Sequence, residues 1–166
     1  MATTGAYRVH PAALGDFRAL QVEAQQYGIE LGLVSGYRSL AHQRSIFVMR
    51  LEEMAQELHH RSVTMEEIAQ GQADDVVDGV LKTSSIPGYS KHHTGYAMDW
   101  VDISSGIQFT DFDLTPAHRW LAADNYYNAK RFGFIPSYPY GASQQGPDPE
   151  TWEYVWVGVD LLRETW

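Results

Sequence analysis

The sequence predicts an α+β fold, a small, mostly antiparallel sheet with helices packed on one side. Apolar residues recur at spacings of three and four over several long segments, the mark of amphipathic helices, whereas the strand signals are few and short. Their order is helix, strand, helices, strand, helix, strand. A length of 166 residues fits one compact domain, 1–166, around one core.

Residues 12–27 carry Leu14, Phe17, Leu20 and Ala24 on one helical face, and Gly28 supplies the stop. Ile29 to Val34 is a short apolar run bounded by glycine and Ser35-Gly36, a strand signal that delivers Gly36-Tyr37-Arg38-Ser39 to a strand end. Ser39 caps a long helix from Ala41 to His59, with Ile46, Phe47, Leu51, Met54 and Leu58 as its apolar repeat. Thr64 and Glu67 have capping-box spacing for a short helix ending near Gly71. Asp74 and Asp75 favour another helix start ahead of Val76, Val77, Val80 and Leu81. Pro87 and Gly88 interrupt, and Ala97 to Val101 reads as a buried strand. Asp102 to Thr115 reads as a polar loop and Pro116 to Phe132 as a helix ending at Gly133. Pro136 to Pro149 holds four prolines and reads as a long surface loop, and Trp152 to Val159 reads as a last strand.

Composition narrows the chemistry. With no cysteine, disulfides and thiolate metal sites are excluded, so a transition metal has to be held by imidazole and carboxylate. A net charge of -9 speaks against a nucleic-acid partner, which wants a basic face. No signal peptide and no membrane span is expected, because no basic segment precedes an apolar run and no apolar run is long enough.

Within Ser90 to Trp100, His92 and Asp99 stand seven residues apart with Gly95 between them. The chain can turn at the glycine and bring a loop imidazole and a strand carboxylate to one point. Two ligands fall short of the three protein groups a catalytic zinc takes. On spacing alone, surface histidines and a strand-end cap are equally good readings.

Ser90-Lys91-His92-His93-Thr94-Gly95-Tyr96-Ala97-Met98-Asp99 resembles the S-x-H-x-x-G-x-A-x-D motif of the VanY-like peptidases, zinc D-alanyl-D-alanine carboxypeptidases and related peptidoglycan endopeptidases. Ser35-Gly36-Tyr37-Arg38-Ser39 with Gln43 resembles the family's S-G-Y-R-S…Q, and Arg131 to Ile135 its Y-G-F stretch. Glu150-Thr151-Trp152-Glu153-Tyr154 is similar to its E-P-W-H-Y, and the whole resemblance runs from about Tyr7 to Gly158.

The resemblance implies the hedgehog-like peptidase fold and one zinc ion held by His92, Asp99 and a third ligand. That third position is Glu153, where the family has histidine. Glu150 falls at the general base, which deprotonates metal-bound water as it attacks the scissile carbonyl. Arg38 falls where a guanidinium meets the oxyanion or the substrate's carboxylate. Ser90, Gln43 and Trp152 fall on the substrate side. The implied substrate is a peptidoglycan stem peptide, and the implied actor an extracytoplasmic monomer. Three readings of Glu153 stay open: a harder, more anionic ligand that lowers zinc affinity; a peptidase-fold module that binds cell-wall peptide or a protein without turnover; or replacement of the third ligand by His93 or His42. Carboxypeptidase and endopeptidase action also both stay open.

Overall fold

The computed structural model describes residues 1–139 and 148–164. Along the chain follow β1 (Ala2–Thr4), β2 (Tyr7–Val9), α1 (Pro11–Gln25), β3 (Leu31–Ser35), α2 (Leu40–His59), α3 (Met65–Ala69), α4 (Asp74–Leu81), β4 (Ala97–Asp102), α5 (Pro116–Lys130), β5 (Phe134–Pro136), β6 (Glu153–Trp156) and α6 (Val159–Glu164). The chain divides into two compact units, one taking in 1–37, 94–139 and 149–164 of the described residues, the other 38–93 and Asp148.

The first unit is built on a four-stranded sheet in the order β3-β4-β6-β5, every neighbouring pair antiparallel. Its core face carries Met98, Trp100, Phe134 and Tyr154, covered by Phe17 and Leu20 of α1 and Leu121 and Ala129 of α5. Trp100 and Tyr154 stack at 4.0 Å between centroids, and Phe17 leans on Trp100 at 5.7 Å. The α+β expectation holds. Three elements escaped the sequence: the β1–β2 hairpin and β5 are three-residue strands, too short to show a period, and the six-residue α6 begins at Val159, where the sequence still reads as a strand that in fact ends at Trp156.

Residues 102–115 are not the loop their polarity implies. They form 3-10 turns at Ile103–Ser105 and Phe109–Leu114. The reason is Asp102, 1% exposed, whose Oδ1 accepts from Ser104 Oγ at 2.5 Å and Ser105 N–H at 3.2 Å. Its Oδ2 accepts the Ala117 N–H at 3.0 Å in the first turn of α5, a helix that Thr115 caps by accepting the His118 N–H at 3.1 Å. Nor is α5 continuous: Asp124, Asn125 and Tyr126 all take positive φ, at 51°, 57° and 63°. The break turns the Tyr126 ring into the core, edge-on to Tyr154 at 6.3 Å, and Asn128 Nδ2 closes it by donating to the Trp120 carbonyl at 2.8 Å.

The second unit holds α2, α3 and α4. Ser39 Oγ accepts the His42 N–H at 3.1 Å and caps α2, and the Thr64–Glu67 capping box opens α3 as its spacing predicts. A small core forms from Ala55, Ala73 and Val76. The apolar repeat of α2 overstated its burial: Gln43 and Ala55 are its buried residues, and Leu58 is 47% exposed. Among the described residues no helix is long and apolar enough to cross a membrane.

Candidate metal centre

Two glycines admit the backbone that carries the candidate residues. A Cβ on Gly36 would collide with the Arg8 carbonyl, which accepts the Tyr37 N–H at 2.6 Å. Gly95 sits at φ 77°, a left-handed turn that leads from the Lys91–Thr94 turn into β4. One extra residue, Val34, bulges from β3 between the pairs Leu33–Trp100 and Ser35–Asp99.

Register then does the placing. In β4 the side chains alternate, so with Met98 and Trp100 in the core Asp99 points to the other face. Asp99 pairs directly with Glu153 of β6, whose neighbour Tyr154 is likewise in the core. Two carboxylates thus stand opposite each other on one face, an arrangement that costs stability unless a cation accompanies it. His92 precedes them on the Lys91–Thr94 turn. Ligand atoms of His92, Asp99 and Glu153 all lie within 4.8 Å of one another. The three residues are 3%, 5% and 4% exposed. One imidazole and two carboxylates, buried together, form a donor set that fits zinc.

Sequence reasoning missed Tyr138, which it had assigned to a surface loop. The residue is 7% exposed, and the Ser137 N–H donates to the Glu153 carbonyl at 3.0 Å, tying this segment to β6. Burial, then the carboxylates of Glu153, Glu150 and Asp99, push the Tyr138 phenol well above its ordinary value. The phenol therefore stays protonated at neutral pH. Part of the expected loop, 140–147, lies outside the described residues. Glu150 is half-buried, and its carbonyl accepts the Glu153 N–H at 3.2 Å. Trp152 is half-buried too, edge-on to Phe109 at 5.4 Å.

In the second unit Arg38 and Gln43 are neighbours: Arg38 Nη1 donates to Gln43 Oε1 at 3.3 Å, and Gln43 Nε2 donates to the Ser85 carbonyl at 2.9 Å. Ser90 Oγ accepts the His92 N–H at 3.3 Å, a local cap of the turn. His42 is exposed at the start of α2. Both ring nitrogens of His93 are engaged by backbone, one by Gly88 and one by Arg38.

The family model for VanY, described as D-alanyl-D-alanine carboxypeptidase, matches residues 6–159. The chain belongs to the VanY family. It is 32% identical over 117 residues to YodJ of Bacillus subtilis (strain 168), named as a carboxypeptidase, a match covering 70% of this chain and 34% of YodJ. The chain thus spans about a third of the length of that curated relative. A VanY-family structure, the vancomycin resistance D,D-pentapeptidase VanY of a VanB-type cassette with Zn(II), superposes with a TM-score of 0.70 over 99% of this chain and 81% of its own, at 21% identity. The LdcB LD-carboxypeptidase gives 0.67 over 94% and 62%, at 24% identity. At these identities the likeness shows a shared VanY-type fold.

Proposed function

We propose that the protein is a zinc carboxypeptidase that removes a terminal D-amino acid from peptidoglycan stem peptides outside the cytoplasm, where that substrate lies. The observation that carries this reading is the convergence of His92, Asp99 and Glu153, three buried donors with ligand atoms within 4.8 Å, in a chain of the VanY family. His92 and Asp99 are metal ligands, and Glu153 is the third. Zinc, when bound, makes a water more acidic and polarises a carbonyl. Glu150 takes the proton of the attacking water on its carboxylate and returns it to the leaving amine. Tyr138, whose phenol is held well above its ordinary value, keeps its own proton through this cycle. Arg38, held by Gln43, meets the charge that develops on the scissile carbonyl oxygen.

The buried pair of carboxylates favours this reading over Glu153 as a solvated strand residue. A second anionic ligand leaves the complex less positive than a site with two imidazoles, so turnover is slow for the family. The test is digestion of purified sacculi and of defined stem peptides with zinc-loaded protein, beside Glu150→Ala. Release of free D-alanine by the wild type, and its loss in Glu150→Ala with zinc content unchanged, is the expected outcome. Stoichiometric zinc with peptide binding but no released amino acid would replace the enzyme by a binding module.

A further inference from the structure

His93 adjoins a candidate ligand but does different work, and its two hydrogen bonds define that work. The Gly88 N–H donates to Nε2 at 3.0 Å, and Nδ1 lies 2.7 Å from the Arg38 carbonyl oxygen. An amide N–H only donates, so Nε2 keeps its lone pair; a carbonyl only accepts, so Nδ1 carries the proton. Both ring nitrogens are thus used in one tautomer, with no lone pair left over for a metal.

The other side of Arg38 is held by the same turn, since the Arg38 N–H donates to the His92 carbonyl at 3.1 Å. Both backbone polar groups of Arg38 are therefore committed to consecutive residues, His92 and His93. The imidazole also joins Arg38 to the Gly88 turn, where Gly88 takes φ 97° and the Tyr89 N–H donates to the Ile86 carbonyl at 3.0 Å. With the backbone fixed, the Gln43 contact helps to aim the guanidinium.

We propose that His93 is the positioning residue for Arg38: its Nδ1–H tautomer clamps the arginine's carbonyl, so that the guanidinium is presented in one orientation. The kinetic part of this inference rests on the reading that Arg38 serves hydrolysis; the clamp itself does not.

A double-mutant cycle with a spectroscopic arm tests it. On a stem peptide ending in D-alanine, His93→Ala lowers kcat/KM about tenfold, the scale on which orienting partners act, while zinc affinity stays within about twofold. His93→Asn, which keeps a donor near the Nδ1 position, recovers part of the loss. In an Arg38→Ala background, His93→Ala costs nothing further, because the residue acts through the arginine. Additive losses, or lost zinc binding in His93→Ala, overturn the proposal. Nitrogen-15 spectra of the wild type show His93 protonated on Nδ1, and hydrogen exchange of the Arg38 amide is faster in His93→Ala than in the wild type. An Nε2–H tautomer or unchanged exchange overturns the clamp. If the wild type hydrolyses no stem peptide, the peptidase reading fails, and the spectra and exchange still decide the clamp.

Discussion

Replacing Glu153 with glutamine removes one charge and keeps the volume, so it isolates what the second carboxylate does. Glu153 faces Asp99 across the β4–β6 ladder, with ligand oxygens within 4.8 Å. Two full negative charges at that separation repel by about 3.5 kcal/mol at an effective dielectric of about 20. With both carboxylates ionised, zinc-free protein carries that repulsion, and a bound dication cancels it. Glu153→Gln is therefore expected to melt higher than the wild type in EDTA, by as much as about 3 kcal/mol, and to gain less from zinc. With zinc at a hundred times Kd the wild type gains about 2.7 kcal/mol, or about 5–11 °C in Tm for a chain of this size. A tenfold weaker site at the same zinc concentration gains about 1.4 kcal/mol, half as much. Melting curves of both proteins across a zinc series from EDTA upward measure both quantities. Glu153→His, which puts an imidazole where the family motif has one, is expected to widen the zinc shift beyond wild type and to speed release of D-alanine. If Glu153→Gln melts lower in EDTA and keeps the full zinc shift, the side chain is neither a ligand nor a like-charge neighbour of Asp99, and the metal centre as drawn is wrong.

Arg38→Ala is expected to lower kcat by about 10²–10³, the loss seen when an oxyanion donor is removed; an unchanged kcat with a raised KM, read from initial rates, would move the guanidinium to the substrate's carboxylate. Asp124→Gly is expected to raise stability by about 0.5–1 kcal/mol in denaturant titrations, because Asp124 is exposed and held at φ 51°. The same change at Tyr126 is expected to cost about 3–5 kcal/mol, since its ring is 4% exposed in the core. Burial holds the His118 imidazole below its ordinary value, opposed in part by the Asp113 carboxylate. The unfolded chain therefore binds a proton that the folded chain resists, and stability is lost as pH falls below about 6.5. Melting points between pH 8 and pH 5 should fall on the acid side and fall less in His118→Gln.

What could be read from the sequence was whatever local chemistry decides. The Ser39 cap, the Thr64–Glu67 box and the stop near Gly28 are contacts between residues a few positions apart, and the structure keeps all three. The break in α5 could not be read, because its cause is the burial of Tyr126 against Tyr154, 28 residues away in sequence. Asp102 looked like a loop residue for the same reason: one of its partners, Ala117, lies across two turns. The candidate metal centre falls between these cases. Alternation sends Asp99 away from the face of Met98 and Trp100, and sends Glu153 away from the face of Tyr154. Both carboxylates were therefore assignable to the non-core face from their apolar neighbours alone. Their pairing was not, since it depends on a register between positions 54 residues apart. A slip of one residue in that ladder would carry Glu153 to the core side, and a slip of two would leave it on the right face but some 7 Å from its partner. The candidate metal centre is thus a property of strand register: Asp99 and Glu153 face each other because β4 and β6 pair with Met98 opposite Tyr154.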